Sequence, residues 1–246
     1  MTSTDVAEKL AGIKAAGAHA NRRPVDAATL ILVDRSGRKP RILFGRRHEQ
    51  QVFLPGKYVF PGGRVDPVDR RMPVFGMLDA DSERRLQARV VRPSAARSRA
   101  LALAAIRETC EETGLLLGTR DAGAPEGVPD AWRPFAEAGV YPDLEALRFV
   151  ARAITPPRRS RRYDTRFFLA EASAIAHRVG DVVGPESELT ELVWAGFDDA
   201  RRLDLPIITQ AVLEDVETLL AAGPYIRPTV PFYYMRGSRF HRDTLD

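Results

Sequence analysis

The sequence contains one cysteine, Cys110, four scattered histidines and no long apolar run. A single cysteine excludes an internal disulfide and favours a reducing compartment, so we expect a cytoplasmic protein. A membrane-spanning helix needs ~18 or more consecutive apolar residues, so we expect no membrane partner. The sequence also lacks a Walker phosphate loop, a His-Glu-x-x-His zinc helix and a Gly-x-Ser-x-Gly nucleophile turn, which removes the common NTPase, metalloprotease and serine-hydrolase arrangements.

The numbers of basic and acidic residues are nearly equal. The chain carries 37 basic and 33 acidic residues, a formal net charge of +4, and arginine supplies almost all of the positive charge. No basic stripe with interleaved aromatic residues is present, so we expect no nucleic-acid partner. With 246 residues, 44% of them hydrophobic, the chain can build a sizeable core, and the absence of internal repeats or a linker favours one domain.

The stretch from 105 to 114 is the most informative part of the sequence. In a helix, Glu108, Glu111 and Glu112 share one face, and Gly114 is a typical helix stop. Like charges at this spacing repel by roughly 0.2–0.5 kcal/mol per pair on an exposed helix. Carboxylate oxygens are the ligands that Mg²⁺ and Mn²⁺ prefer, so the face suits a divalent cation. The simpler alternative is a solvated acidic surface.

Upstream, an apolar strand runs into Pro61, Gly62 and Gly63, where the chain can turn tightly. The two segments together resemble the Nudix box, Gly-x5-Glu-x7-Arg-Glu-U-x-Glu-Glu-x-Gly-U, where U is a bulky aliphatic residue. The matching positions are Gly63, Arg107, Glu108, Glu111, Glu112, Gly114 and Leu115. Asp69 departs from the expected glutamate and Thr109 from the first aliphatic position, and an insertion separates the two halves.

The resemblance implies a fold and a domain organisation. The expected fold is a Nudix-type α/β/α sandwich with a mixed β-sheet, the motif helix on one face and the C-terminal helix on the other. We expect one domain over residues 1–246, with a core at about 26–222. An insertion at about 70–93 interrupts the box, and an extension follows at about 223–246. Because it lies between the two halves of the box, we expect the insertion beside the substrate entrance.

The reaction implied by the resemblance is hydrolysis of a diphosphate linkage, with Mg²⁺ or Mn²⁺ as cofactor. We expect Glu108 and Glu112 to be metal ligands, and Glu111 to be a third ligand or the catalytic base. The carbonyl of Gly63 is a further candidate ligand. Arg107 belongs to the catalytic group, where it should orient Glu111 or pair with Asp66 or Asp69.

Other polar segments supply candidates for metal and substrate contacts. An additional acidic ligand is expected near the late Nudix strand, at one of Glu186, Glu188 and Glu191. Guanidinium groups bind phosphate oxygens in a bidentate manner, so the arginines that precede and follow the motif are candidate substrate-binding residues. These residues are Arg46, Arg47, Arg161 and Arg162.

The substrate is expected to be a small diphosphate. An interrupted box resembles the coenzyme A and acyl-coenzyme A diphosphatase branch, which makes coenzyme A the first candidate. The alternatives are a diphosphatase for ADP-ribose, NADH or nucleotide sugars, and, from another functional class, a catalytically silent Nudix-fold sensor that binds a nucleotide. All three motif glutamates are retained, which favours an enzyme.

Local patterns predict the individual elements. Ser94 is the expected N-cap of the motif helix, and a helix over 81–91 should place Leu86 and Val90 inward. The C-terminal tail should be extended, a form that suits a homodimer contact. The remaining expectations are strands at 27–33, 41–44, 148–154 and 164–169, and helices or helical turns at 4–16, 132–135, 143–146 and 206–222.

Overall fold

The computed structural model describes Leu10 and residues 19–223 and 229–246. The helix expected over residues 4–16 therefore lies outside the described residues except at Leu10, which is buried in the core. The first residues of the expected extended tail, up to 228, also lie outside them.

The described part of the chain folds into a mixed α/β structure. The helices are α1 (Ala80–Gln87), α2 (Ala95–Thr113), α3 (Arg133–Glu137), α4 (Phe197–Ala200) and α5 (Ile207–Ala222). The strands are β1 (Val25–Asp34), β2 (Arg41–Arg47), β3 (Tyr58–Val59), β4 (Gly62–Arg64), β5 (Leu115–Leu117), β6 (Arg148–Ile154), β7 (Tyr163–Glu171), β8 (Ile175–Arg178), β9 (Leu189–Gly196), β10 (Val230–Arg236) and β11 (Arg239–Leu245). Short 3₁₀ turns cover Pro67–Arg71, Asp130–Trp132 and Ala172–Ala174.

One nine-stranded sheet, as far as the chain is described, organises these elements. Its order is β11-β10-β6-β7-β1-β2-β3, with β4 paired to β1 and β9 paired to β2, while β5 and β8 form a separate pair. β1 runs parallel to β7 and antiparallel to β2 and β4, so the sheet is mixed. β1 lies in the interior of the sheet, between β7 and β2, as its apolar sequence predicts for a strand buried on both faces.

Helices cover the two faces of this sheet. Alternate β1 residues such as Leu30 and Leu32 pack in the core cluster that includes α2. The intervening residues Ile31 and Val33 pack in the opposite cluster with α5. Because successive strand side chains point to opposite faces, β1 serves both cores. The expected sandwich with the motif helix and the C-terminal helix on different faces is confirmed.

The motif helix α2 has the predicted ends. The Ser94 side chain accepts a hydrogen bond from the Arg97 backbone nitrogen at 3.2 Å, and Gly114 closes the helix in the left-handed region at φ 73°. Thr109 is fully buried at the expected aliphatic position. Its hydroxyl donates to the Ala105 carbonyl at 2.7 Å. Threonine is therefore tolerated there, because its polar atom is satisfied within the helix.

The insertion folds differently from the prediction. α1 ends at Gln87, and Arg89 adopts a left-handed φ of 52° that breaks the helix, so Val90 lies beyond it and is only partly buried. The expectation of a helix to residue 91 is therefore wrong, although Leu86 is buried as predicted. The insertion is bound to distant strands: the Phe149 backbone nitrogen donates to the Ser82 hydroxyl at 3.0 Å.

Residues 143–146 and the C-terminal tail are both held by backbone pairing. Residues 143–146 form a turn, not a helix, because their backbone pairs with the insertion: the Leu144 nitrogen donates to the Phe75 carbonyl at 3.1 Å. The tail is extended as expected, since β10 and β11 form a hairpin and β10 pairs with β6 at Phe232 and Tyr233. No described helix is both long and apolar enough to cross a bilayer. A homodimer stays a prediction.

Buried charges connect the sheet to the motif helix. Asp164 accepts two hydrogen bonds from Arg152, both at 2.8 Å, and lies 3.1 Å from Arg166. Asp26 accepts two bonds from Arg97, also both at 2.8 Å, and one from Arg166 at 2.9 Å. Arg152, Asp164 and Arg166 are almost completely buried, so each depends on its partners for compensation of its charge.

We expect Asp164→Asn to lower the free energy of unfolding by about 3–5 kcal/mol, because Arg152 and Arg166 would lose a buried counter-charge. The control is Asp198→Asn, which removes an exposed partner of Arg201 and should change it by less than ~0.5 kcal/mol. Denaturant unfolding of both variants checks this. Equal effects would contradict the assigned importance of the buried network.

Candidate active site

The Gly62-Gly63 turn lies directly against two glutamates of α2. The Gly62 backbone nitrogen donates to a carboxylate oxygen of Glu112 at 2.9 Å. A Cβ on Gly63 would lie only 2.3–2.5 Å from the Glu108 carboxylate atoms. β4 holds the turn in place, since Gly63 pairs with Ala28 of β1. Any side chain at position 63 would therefore have to displace the Glu108 carboxylate.

Arg107 fixes the other side of this cluster. Its guanidinium donates to Asp69 at 2.7 Å, to the Arg64 carbonyl at 2.9 Å, to Glu111 at 2.9 Å and to Glu108 at 3.0 Å. The side chain is 6% exposed. The expected pairs with Asp69 and Glu111 are confirmed.

Asp69 stands where the box pattern has glutamate, and it accepts a hydrogen bond from Arg107. It is fully buried, and its carboxylate also accepts the Asp66 backbone nitrogen at 2.8 Å. Asp66 itself does not pair with Arg107, and its side chain caps the 3₁₀ turn through the Val68 nitrogen at 2.9 Å. Asp69 precedes the insertion and Arg107 follows it. Their contact therefore brings the segments before and after the insertion together in space.

The electrostatics of the cluster disfavour negative charge. Burial raises the pKa of Glu108 to about 7, against the opposing effect of Arg107. Burial also raises the pKa of Glu112 well above its usual range, and Glu188 and Glu108 add to this while the Gly62 hydrogen bond opposes it. The pKa of Glu111 is raised, again mainly by burial. A cation beside these groups would stabilise their ionised forms.

A cavity of about 320 Å³ opens at Glu108 and Glu112. Of the predicted site residues, those that line it are Gly63, Glu108, Glu112, Arg47, Arg161 and Glu188. Those that do not are Arg107, Glu111, Arg46, Arg162, Glu186 and Glu191. The sequence therefore predicted more site residues than line the cavity.

The predicted site residues that do not line the cavity are placed elsewhere. Arg46 pairs with Glu49 at 2.8 Å on the surface, and Glu191 accepts a hydrogen bond from the Tyr58 hydroxyl at 3.0 Å. Arg162 donates to the Asn21 side chain at 2.7 Å and to the Thr155 carbonyl at 3.1 Å. Glu186 is exposed.

Glu188 is the acidic candidate that reaches the cavity. Arg47 binds it at 2.9 Å and also donates to the Phe53 carbonyl at 3.0 Å. Glu188 acts on Glu112 electrostatically, since it raises the pKa of that carboxyl. A carboxylate from the residue that precedes β9 thus lines the same cavity as the α2 carboxylates.

Sequence reasoning missed several lining residues. Tyr163, Thr165 and Phe167 of β7 line the cavity, as does Arg64. Their signal was the period of two in β7, which places 163, 165 and 167 on one face. Strand periodicity alone does not say which face meets the cavity.

The insertion does not lie at the cavity, which corrects the expected position beside the substrate entrance. None of residues 70–93 lines it. The segment packs instead towards β6 and the C-terminal hairpin, where Arg89 binds Asp243 at 2.5 Å. Arg99, which an uninterrupted box would place at the glutamate position, donates to the carbonyls of Arg70 and Met72 and so holds the base of the insertion.

The residues present fit a hard divalent cation of the Mg²⁺ type. Mg²⁺ is usually bound by one or two carboxylates together with waters and substrate phosphates. Glu108 and Glu112 supply two such carboxylates beside the backbone of Gly63. Among the described residues no cluster of three His, Cys, Asp or Glu side chains is pre-arranged for a metal ion. Glu111 is turned to Arg107 with its side chain 43% exposed, which is why it does not complete a third position.

The chain is similar to a solved structure of a Nudix hydrolase. No protein-family model matches the sequence. A Nudix hydrolase from Alicyclobacillus acidocaldarius is 28% identical with a TM-score of 0.58, over 84% of this chain and 99% of the other. This match supports the Nudix superfamily for the chain.

Two more solved structures are less similar. The Nudix domain of Shewanella oneidensis NrtR, complexed with ADP ribose, is 12% identical with a TM-score of 0.47, over 89% of this chain and 99% of the other. An Ap4A hydrolase from Caenorhabditis elegans is 16% identical with a TM-score of 0.43, over 81% of this chain and 99% of the other.

We expect Gly63→Ala to lower metal-dependent turnover by about 100-fold, because the added methyl group must displace the Glu108 carboxylate, and a shift of about 1 Å at a reacting site can cost that much. Gly196→Ala is the control, since a Cβ there meets open space. Initial rates in Mg²⁺ and melting temperatures check this. Similar activity in both variants would contradict the close approach at Gly63.

Proposed function

We propose that this protein hydrolyses a diphosphate linkage in a nucleoside diphosphate derivative, with Mg²⁺ or Mn²⁺ as cofactor. The observation that carries the proposal is the pair of buried carboxylates, Glu108 and Glu112, against the Gly62-Gly63 turn at the end of a cavity. Their raised pKa values suit a site that is completed by a cation.

In this proposal Glu108 and Glu112 hold the cation, and the Gly63 backbone limits how far Glu108 can move. When bound, the metal ion supplies charge neutralisation at phosphorus and lowers the pKa of a bound water. Arg107 is a positioning residue, because it binds Glu108 and Glu111 but does not line the cavity. Glu111 as third ligand or base stays a prediction, and Glu188 is an alternative that already faces the cavity.

Cations around the cavity support a substrate with additional negative charge. A neighbouring cleft of about 290 Å³ is lined by Arg22, Arg23, Arg64, Arg161 and Arg162, with no acidic side chain in its wall. Arg64, Arg161 and Tyr163 line both this cleft and the cavity. Guanidinium groups in this arrangement suit a phosphate group beyond the diphosphate that is cleaved.

Coenzyme A carries such a group, its 3′-phosphate, whereas ADP-ribose and NADH do not. We therefore place coenzyme A or acyl-coenzyme A first among the substrates, ahead of ADP-ribose, NADH and nucleotide sugars. A catalytically silent nucleotide sensor would bind these molecules without turnover, and the retained pair of metal-site carboxylates favours the enzyme.

Glu112→Gln tests the metal site. The change keeps an oxygen that can accept the Gly62 hydrogen bond but removes the charge, so we expect turnover to be lost. A carboxyl whose pKa is raised by folding costs stability as pH rises above its ordinary pKa, because the unfolded state ionises more readily than the folded state. The metal-free variant should therefore melt at the same or a higher temperature than the metal-free parent at pH 8.

The control is Glu171→Gln, which removes an exposed partner of Arg35 away from the cavity and should leave the rate unchanged. Rates on a panel of diphosphates in Mg²⁺ and Mn²⁺ decide the outcome. Turnover by Glu112→Gln close to that of the parent would reject the metal site. Nucleotide binding by the parent protein without turnover on any substrate would favour the sensor.

Arg161→Ala tests the preference for coenzyme A. In the parent, kcat/KM for coenzyme A should exceed that for dephospho-coenzyme A by roughly ten- to a hundredfold, the equivalent of one charge-assisted hydrogen bond of about 1.5–3 kcal/mol. The variant should lose most of this ratio. Arg46→Ala is the matched control, because Arg46 is paired with Glu49 outside the cavity. Equal values for the two substrates, or a preference for ADP-ribose, would remove the coenzyme A assignment.

A further inference from the structure

A second cavity of about 450 Å³ adjoins the cavity at the carboxylates. The two cavities share a wall made of Phe53, Leu54, Tyr163, Thr165, Phe167 and Ile208. We call this second cavity the apolar chamber. Its position matters because a molecule held by its phosphates at Glu108 and Glu112 has the chamber as its immediate neighbour.

The lining of the apolar chamber is chemically one-sided. Its remaining wall includes Ile154, Pro156, Leu205, Ile207 and Phe240. No aspartate, glutamate, asparagine, glutamine or histidine among the described residues lines it. Hydroxyl groups of a sugar would therefore lose their hydrogen bonds to water there with few replacements, at about 1–3 kcal/mol for each unpaired group.

Charged side chains are confined to two residues of this wall. Lys57 is paired with Asp204 at 2.5 Å, so its charge is compensated. Arg159 belongs to the exposed loop between β6 and β7. The chamber thus contrasts with the arginine-lined cleft that also adjoins the cavity, whose wall includes five arginines.

We propose that the substrate carries, bonded directly to the scissile diphosphate, an uncharged and mainly apolar group that occupies this chamber. The inference rests on the proposed diphosphatase activity and narrows its substrate class. An apolar group gains about 0.8 kcal/mol for each CH₂ removed from water, and the chamber supplies the surface for this burial. A ribose or hexose at the same position gains little and leaves hydroxyl groups unpaired.

The reaction on such a molecule balances without a further reactant. A water oxygen forms a bond to one phosphorus, and the bond between that same phosphorus and the bridging oxygen breaks, so the bridging oxygen leaves with the other phosphate. The products are a nucleoside monophosphate and the monophosphate of the apolar group, and the water protons pass to phosphate oxygens and solvent. Only the second product differs among substrates that vary in the apolar group.

A homologous series of substrates tests the proposal with the full-length protein. The probes are β-methyl, β-butyl and β-octyl esters of ADP, compared with ADP-ribose in one Mg²⁺ buffer. We expect kcat/KM to rise along the series by up to about fourfold per methylene, the equivalent of ~0.8 kcal/mol, until the chamber is filled. ADP-ribose should be a poorer substrate than the butyl ester.

The Ile207→Asn variant tests whether the dependence of kcat/KM on chain length arises in the chamber. Ile207 is partly buried at the start of α5 and lines the chamber but not the cavity at the carboxylates. The variant should lose most of the advantage of the octyl ester while its rate on the methyl ester stays near that of the parent. Leu220→Asn on the same helix is the control, since Leu220 is also partly buried and lines neither cavity.

The outcomes separate the two proposals. Hydrolysis of all esters with no dependence on chain length would overturn the chamber assignment and leave the diphosphatase standing; a chamber filled by the chain itself would give this result. Absence of metal-dependent hydrolysis for every ester, by protein that hydrolyses coenzyme A, would overturn the chamber assignment alone. Absence of hydrolysis for coenzyme A as well would overturn both. An equal loss on methyl and octyl esters in Ile207→Asn would also count against the chamber, because it would indicate a general structural effect.

Discussion

The buried pair of Arg107 and Asp69 is the interaction on which the rest of the site depends. Asp69 precedes the insertion and Arg107 follows it, so the pair brings the two halves of the motif together across that segment. The same guanidinium binds Glu108, Glu111 and the Arg64 carbonyl. Loss of Arg107 would leave the buried Asp69 carboxylate without its counter-charge, and both the β4 turn and the helix would lose their common anchor.

Predictions from the sequence succeeded where local rules determine the structure. The cap at Ser94, the stop at Gly114 and the apolar run of β1 depend on neighbours in sequence, and all appear as expected. For Arg107 the sequence left Asp66, Asp69 and Glu111 open as partners, and the structure pairs it with Asp69 and Glu111. Helix spacing could not reveal that Glu111 turns away from the cavity, since the direction depends on Arg107.

The insertion and the late acidic residues show why the remainder could not be predicted. The path of residues 70–93 depends on contacts with residues far along the chain, such as the bond from Phe149 to Ser82. Of the three closely spaced glutamates, Glu188 lies just before β9 and lines the cavity, whereas Glu191 lies within β9 and does not. The register of β9 against β2 sets these positions. A shift of one residue would reverse the faces, and strand periodicity alone does not specify it.

Tyr163 lies where three chemically different spaces meet, since it lines the cavity at the carboxylates, the arginine-lined cleft and the apolar chamber. In the proposed complex the diphosphate lies at this junction, so the phosphorylated and apolar halves of a substrate are drawn to different compartments. Reversal would place an anionic group among apolar side chains, at a high desolvation cost. The orientation of the scissile bond therefore follows from the difference in charge between the arginine-lined cleft and the apolar chamber. Hydrogen bonds to the nucleobase are not required for it.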